Sequence, residues 1–147
     1  MCIRDSYYTF EMAGQLGRGQ VDIFDIQQEM IDHVMRLANR RGVTNVVPAL
    51  GDAQSLPYAD DSFDAVVLIT VLGEIPDQDQ ALSEVERVLK PGGRLVVGEM
   101  AVDPHIVPLG RLRERAARAG LSFGRRVGSP LAFFARLEKA PAPQQQA

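Results

Sequence analysis

Apolar positions along the chain recur at two periods, one typical of amphipathic helices and one typical of buried strands. Helical spacing is clearest in residues 28–41, whose apolar face ends just before Gly42, where a C-terminal cap is expected. The pattern predicts helices over residues 8–16, 28–41, 79–90 and 109–119. It predicts strands over residues 21–24 (followed directly by Asp25), 45–50, 64–70, 94–100, 121–127 and 131–137.

The order of these elements predicts the fold class. Strands that alternate with helices are typical of an α/β protein with a mostly parallel sheet, helices on both faces and right-handed crossovers. Residues 65–69 are all apolar, as in a parallel strand that is covered on both faces. The last two strands are separated only by a tight Gly-Ser-Pro turn at residues 128–130, which predicts a C-terminal antiparallel hairpin.

Charge is unevenly distributed along the chain. The net charge is −3, yet residues 1–86 carry 5 basic and 15 acidic side chains, and residues 87–147 carry 11 basic and 4 acidic ones. An acidic partner and a set of solvated helix faces both explain this asymmetry. Helix 109–119 illustrates the second explanation, because its arginines and its apolar residues occupy different faces. We expect Arg111, Arg115 and Arg118 to be exposed, and Leu112, Ala116 and Ala119 to be buried.

The composition predicts one ordinary globular domain. The chain has 147 residues, of which 46% are hydrophobic and 24% are charged. The longest apolar run, residues 65–72, is interrupted by Thr70 and is too short to span a bilayer, and no signal peptide precedes it. The single cysteine, Cys2, excludes an internal disulfide framework and a cysteine-based metal cluster. We therefore expect a cytoplasmic protein with no membrane span, and we expect no bound nucleic acid.

Both termini fall outside the predicted domain of residues 7–139. Residues 1–6, MCIRDS, have no periodicity, and their codons can match the end of a sequencing-library adapter. We expect an adapter-derived scar there, and a genuine short N-terminus is the alternative. Residues 140–147, APAPQQQA, offer nothing to a core and are expected to be disordered.

Three stretches carry a resemblance to a known family. VDIFDIQQEM, GDAQSLPYADDSFDAVVLITVLGEIPD and ALSEVERVLKPGGRLVVGEM lie in this order within residues 21–100. They resemble the class I S-adenosylmethionine-dependent methyltransferases of ubiquinone and menaquinone biosynthesis. The resemblance implies a Rossmann-like fold, S-adenosylmethionine as the cofactor, and methyl transfer to a small molecule. The antiparallel hairpin agrees, because the methyltransferase sheet ends with an antiparallel strand.

The resemblance also implies a cofactor site. Asp25 follows a strand at its carboxyl end, where open α/β sheets bind ligands, and a carboxylate there can accept two hydrogen bonds from a ribose. Ile26 would pack against the adenine. Asp52 would accept a hydrogen bond from the adenine amino group, and the backbone of Ala53 would address a ring nitrogen. Thr70 would face the methyl donor. The alternatives are a helix cap at Asp25 and a turn residue at Asp52.

The residues that would contact the methyl acceptor are less well defined. This chain has Gly73-Glu74 where relatives often have His-Glu, which leaves the substrate class open. Glu74 either caps the next helix or contacts substrate. His105 follows a strand where relatives place substrate-facing residues, and we expect a surface histidine. Methyl transfer from a sulfonium needs mainly positioning, so we assign no catalytic residue.

The family's first strand and its glycine-rich turn are not found in this sequence. Gly14, Gly17 and Gly19 lie within or after the first predicted helix, not before it, so we expect an N-terminally truncated domain. The missing strand would lie between the strands that end at Asp25 and Thr70. These two strands either pair directly or leave an empty slot, and we expect the slot. A chain in this form should be poorly stable and should bind S-adenosylmethionine weakly or not at all.

Two other functions remain open. A fragment of a nicotinamide-dependent oxidoreductase would also have an acidic residue after its second strand, although the GDA and KPGG stretches argue against it. A non-catalytic module that keeps the fold for protein contacts is the other alternative.

Overall fold

The computed structural model describes residues 5–143, and side chains from Tyr8 onward. The chain forms two compact units, of which the first ends at Ala53 and the second begins at Gln54. Each unit has its own sheet. Residues 1–4 of the expected scar and residues 144–147 of the expected tail lie outside the described residues. In the part of the chain that is described, no helix is long and apolar enough to cross a bilayer.

The first unit is a strand–helix–strand arrangement preceded by a helix. Its elements are α1 (Asp5–Gln15), β1 (Val21–Asp25), α2 (Gln28–Arg41) and β2 (Val46–Leu50). The two strands are parallel and run in register from Val21 opposite Val46 to Asp25 opposite Leu50. Their carboxyl ends therefore lie side by side.

Helix α2 has the bounds that its apolar spacing predicts. Val34 and Ala38 are buried and pack with Phe10 of α1 in a small core. Gly42 follows the helix with φ 66°, a left-handed conformation that favours glycine and lets the backbone close the last turn.

The second unit contains a four-stranded mixed sheet. Its elements are β3 (Phe63–Ile69), a one-turn 3-10 helix (Leu72–Glu74), α3 (Gln78–Val88), β4 (Leu89–Met100), α4 (Leu109–Arg118), β5 (Leu121–Ser129) and β6 (Ala132–Lys139). The strand order is β3-β4-β6-β5. β3 and β4 are parallel, whereas β6 is antiparallel to both β4 and β5, which confirms the predicted hairpin.

The main core lies against one face of this sheet. Alternate side chains of β4 and β6 point into it and meet apolar residues of α3 and α4. The fully buried members are Leu72, Leu82, Leu89, Leu95, Val97, Leu112, Ala116, Ala135 and Leu137.

Helix α4 follows its predicted orientation with two exceptions. Leu112 and Ala116 are fully buried, and Arg111 and Arg118 are exposed, as expected. Arg115 is half-buried, because its guanidinium forms an ion pair with Asp79 at 2.8 Å. Ala119 is also only half-buried, since the helix ends at Arg118 and leaves it in the C-terminal cap.

Strand β4 begins earlier than its predicted start at Arg94. The preceding helix ends at Val88 and Leu89 already pairs with Phe63, so the helix predicted to reach Lys90 is two residues too long. A register shift within the strand accommodates the Pro-Gly-Gly stretch, so the strand continues through it. Lys90 therefore lies in the strand, and its Nζ contacts the Asp64 carboxylate at 2.9 Å.

Strand β3 is less buried than its apolar sequence predicts. It lies at one end of its sheet, and none of its residues is fully buried. Ala65 is exposed, and Phe63 is only half-buried against Tyr58, with the ring centroids 4.8 Å apart. The apolar sequence of this strand therefore overestimates its burial. β1 and β3 belong to different sheets, so they do not pair directly.

The segment of residues 54–62, which precedes β3, is tied to α3 through Arg87. The guanidinium donates to the carbonyl oxygens of Leu56 and Tyr58 at 3.0 and 2.8 Å. It also forms ion pairs with Asp60 and Glu84. The backbone N–H of Leu56 donates to the Glu84 carboxylate at 2.8 Å, so this irregular segment is held by a network of directed bonds.

Candidate functional site

The carboxyl ends of β1 and β2 bring four of the predicted cofactor-binding residues to one edge. The backbone N–H of Gly51 donates to the carbonyl oxygen of Asp25 at 2.9 Å. Ile26 follows Asp25, and Asp52 and Ala53 follow Gly51, so both pairs leave the same end of the two-stranded sheet. Thr70 belongs to the second unit, and its convergence with these residues stays a prediction.

Asp25 combines burial with an unsatisfied oxygen. Its Oδ1 accepts a hydrogen bond from the backbone N–H of Gln27 at 2.8 Å. Its Oδ2 is buried and has no hydrogen-bond partner among the described residues. The residue at the cap position of α2 is Gln27, so Asp25 is not the helix cap itself. A buried carboxylate oxygen without a donor is costly, and a ligand hydroxyl would supply one.

The residues beside Asp25 differ in exposure. Ile26 is 67% exposed, which is unusual for an isoleucine and provides an apolar surface next to the buried carboxylate. Asp52 and Ala53 are half-buried. The turn that carries them starts at Gly51, where a Cβ would lie 2.9 Å from the ring of Phe24. Only glycine fits there without displacing the ring, so packing fixes the start of this turn.

Thr70 has a strained backbone at the carboxyl end of β3. Its φ is 51°, a conformation that β-branched residues rarely adopt. The backbone N–H donates to the carbonyl oxygen of Gly98 at 2.8 Å, and the hydroxyl donates to the carbonyl oxygen of Ile69 at 2.8 Å. Strain of this kind is found most often at functional sites.

Sequence reasoning did not identify Glu99, a buried acid in β4. Glu99 is 2% exposed, and its Oε2 accepts a hydrogen bond from the backbone N–H of Val107 at 3.3 Å. Its Oε1 has no partner among the described residues. Burial, together with the nearby charge of Asp103, raises the pKa of Glu99 to about 7. The available signal was one acidic residue within the apolar strand LVVGEM.

Gly73 and His105 make a close contact. This contact explains why residue 73 is glycine, where relatives often have histidine. A Cβ on Gly73 would lie 1.7 Å from the carbonyl oxygen of His105, so no side chain fits at this position. The imidazole of His105 is 60% exposed, as expected for a surface histidine. Glu74 lies in the 3-10 helix beside Gly73.

No metal site accompanies these residues. In the described part of the chain, no three His, Cys, Asp or Glu side chains are grouped so that they could hold a metal ion.

Solved structures of methyltransferases share this fold. A S-adenosylmethionine-dependent methyltransferase from Aquifex aeolicus matches with a TM-score of 0.81 and 20% identity, over 90% of this chain and 75% of its own. One from Methanosarcina mazei matches with a TM-score of 0.73 and 20% identity, over 90% of this chain and 86% of its own. These likenesses confirm the Rossmann-like α/β methyltransferase fold.

Sequence similarity then identifies the family. The methyltransferase domain family matches residues 5–97, and the chain belongs to it. The demethylmenaquinone methyltransferase of Thermobifida fusca is 43% identical over 93 residues, which are 63% of this chain and 34% of that protein. The ubiquinone/menaquinone biosynthesis C-methyltransferase UbiE of Francisella tularensis is 37% identical over 107 residues, 71% of this chain and 41% of that protein. The uncharacterized protein YafE of Escherichia coli is 39% identical over 84 residues, which are 57% of this chain and 41% of that protein. The chain spans about two fifths or less of the length of these curated relatives.

Proposed function

We propose that this chain is the adenosine-binding part of an S-adenosylmethionine-dependent methyltransferase that acts on a small molecule, in the class of quinone precursors. Three observations support the proposal: family membership, the two similar relatives that are named for quinone biosynthesis, and the edge that carries Asp25. The observation that carries it is the Oδ2 of Asp25 at the carboxyl end of β1, which is buried and has no hydrogen-bond partner in the described part of the chain.

Each residue of this edge would hold one part of the cofactor. Asp25 would accept hydrogen bonds from the ribose hydroxyls, and the exposed Ile26 would pack against the adenine ring. Asp52 would accept a hydrogen bond from the adenine amino group, and the backbone N–H of Ala53 would donate to a ring nitrogen. Thr70 would lie toward the methyl donor. When bound, S-adenosylmethionine supplies an electrophilic methyl group on a sulfonium, and the protein contributes mainly positioning.

The test measures adenosine-side binding directly, without any methyl acceptor. S-Adenosylhomocysteine is titrated into 15N-labelled chain, because amide shifts detect even millimolar binding. We expect the amides of Ile26, Asp52 and Ala53 to move together. Asp25→Asn should weaken binding at least tenfold, since an amide offers one acceptor where the carboxylate offers two.

The matched control is Asp32→Asn, an exposed acid on α2 that changes the charge equally. Its affinity should equal that of the unmodified chain. Equal affinities for Asp25→Asn and Asp32→Asn would overturn the proposed role of Asp25. A larger response to NAD than to S-adenosylhomocysteine would overturn the cofactor assignment.

A further inference from the structure

Strand β5 lies at one end of the four-stranded sheet of the second unit. It pairs with β6 along one edge, and its other edge has no neighbouring strand in the described part of the chain. Every residue from Gly124 to Ser129 is exposed. Such a strand presents backbone N–H and C=O groups that a further extended chain can bind. The free edge of β5 therefore provides the backbone contacts of a strand-addition site.

A groove of about 560 Å³ lies between α4 and the first residues of β5. Apolar side chains line much of it, namely Ala117 of α4 and Leu121 and Phe123 of β5. Phe123 packs against the main core, and the guanidinium of Arg113 lies over its ring, 4.7 Å from the centroid. The groove therefore offers an apolar surface to the side chains of a segment that lies along β5.

Positive charge is concentrated on the helix and the strand that border this groove. Residues 109–129 contain six arginines and one acidic residue, Glu114, which also lines the groove. Two of the arginines are neutralised, because Arg115 and Arg118 form ion pairs with Asp79 at 2.8 and 3.0 Å. The other four arginines form no ion pair with any described residue: Arg111, Arg113, Arg125 and Arg126.

Two of these arginines place charge on both faces of the free edge. Arg126 pairs with Ala135, which is buried in the core, so Arg126 lies on the face of the sheet that α4 covers. Arg125 is its neighbour in the strand and lies on the opposite face. Two copies of β5 paired here would bring like charges together, so the charge favours a different, acidic strand over a second copy of this chain.

We propose that the free edge of β5 and the groove beside it dock an acidic, extended segment of a partner protein. Backbone pairing with β5 holds the segment, and apolar side chains on one of its faces contact Ala117 and Phe123. Acidic side chains reach Arg125 and Arg126. The open backbone edge and the apolar lining favour a peptide over a nucleic acid, whose phosphates would use only the arginines. The site lies within the second unit and does not depend on the proposed function.

The test uses the acetylated and amidated peptide EVEVEVE, which is titrated into the 15N-labelled chain of 147 residues. We expect the amide signals of Phe123, Arg125 and Arg126 to shift together. We also expect hydrogen exchange to slow along β5, because an added strand protects amides at its edge. No shift at these amides up to millimolar peptide would refute the proposal.

Two control peptides separate charge from backbone pairing. KVKVKVK has the same apolar residues with the opposite charge and should bind at least about tenfold more weakly. EVEVEVE that is N-methylated at every residue keeps its charge but lacks the N–H groups that pair with β5, so the protection of β5 should be lost. Equal binding of EVEVEVE and KVKVKVK, or equal protection by the N-methylated peptide, would overturn the proposal.

A charge reversal in the chain locates the site. Arg126→Glu should weaken EVEVEVE binding about tenfold and strengthen KVKVKVK binding. Arg111→Glu is the matched control, because Arg111 is an exposed arginine of α4 that does not line the groove. Its affinity for EVEVEVE should stay within about twofold of the unmodified chain. Equal losses in the two variants would show that the peptide responds only to net charge, which contradicts a site at β5.

Two further probes represent the other acidic partners. A deoxythymidine oligomer represents nucleic acid, and phosphatidylglycerol vesicles represent an anionic membrane. At the same ionic strength, both should shift the β5 amides less than EVEVEVE does. Tighter binding of either probe, with the same loss in Arg126→Glu, would assign the arginines to that partner and rule out the acidic segment.

Discussion

The backbone N–H of Val107 donates to Oε2 of Glu99 at 3.3 Å, and among the described residues no second donor reaches this carboxyl group, which is 2% exposed. One donor does not replace the hydration that a carboxylate loses on burial. Burial therefore raises the pKa of Glu99, and its protonation links the stability of the second unit to pH.

Replacing Glu99 with glutamine should remove this pH dependence. The pKa of Glu99 is raised from 4.5 to about 7 in the folded chain, so between these values the folded state holds a proton that the unfolded state lacks. The free energy of unfolding should thus fall as pH rises from 4.5 through 7, by about 2–3 kcal/mol. Urea unfolding of Glu99→Gln and the unmodified chain at pH 5 and pH 8 measures the difference. The same pH slope in both proteins would show that Glu99 ionises normally.

Gly73→Ala should disrupt the β4–α4 loop. The added Cβ would overlap the carbonyl oxygen of His105, so the loop must move, at a cost of about 2–3 kcal/mol. Chemical denaturation gives this cost, and the His105 NMR signals report the displacement. Gly110→Ala is the matched control, because a Cβ there meets nothing within 4 Å and alanine favours α4. Gly110→Ala should be neutral or slightly stabilising, and equal losses in both variants would refute the steric argument.

Arg87→Lys should loosen residues 54–62 without affecting the sheet. Lysine provides one ammonium group where the planar guanidinium bonds Leu56, Tyr58, Asp60 and Glu84 together. Amide hydrogen exchange should accelerate several-fold at Leu56 and stay constant in β4. The exposed Arg111→Lys serves as the control and should leave exchange unchanged at both places. Protection at Leu56 that survives Arg87→Lys would mean that the segment is held by other contacts.

Leu112→Ala tests how far the core depends on α4. Leu112 is fully buried, and its truncation leaves a cavity that should cost about 3 kcal/mol. Arg111→Ala, one position away on the exposed face, should change the free energy of unfolding by less than about 0.5 kcal/mol. A Leu112→Ala loss below about 1 kcal/mol would indicate a loosely packed core. Equilibrium urea unfolding of both variants provides the comparison.

Local sequence patterns predicted those helices and strands whose ends are determined by residues close by in the sequence. Helix α2 ends where Gly42 adopts a left-handed conformation, and both that glycine and the apolar spacing before it are visible in the sequence. The start of β4 was not predictable in this way. Pro91 and the glycines that follow it are usual breakers, but the pairing of Leu89 with Phe63, 26 residues earlier, extends the strand across them. The burial of β3 was overestimated because apolar composition does not report a strand's place in the sheet order.

The candidate site was predictable to a similar degree. Asp25 and Asp52 were found through motifs that follow strands, and the parallel pairing of β1 with β2 places both at one edge. The left-handed φ of Thr70 has no local signal, because threonine rarely adopts it. The contact of Gly73 with His105 joins residues 32 positions apart, and only packing of the second unit creates it.

The strand order β3-β4-β6-β5 has a consequence for biosynthesis. β6, which is translated after both β4 and β5, lies between these two strands. When β5 leaves the ribosome it therefore has no hydrogen-bonding neighbour, and the sheet cannot grow by adding each new strand to its end. Assembly must wait until the β5–β6 hairpin has formed and can join β4 as one piece. A nascent chain that is stopped before residue 132 would lack β6, the one strand that β5 pairs with in the described part of the chain. Both β5 and the second edge of β4 would then be left open to proteases and to other chains.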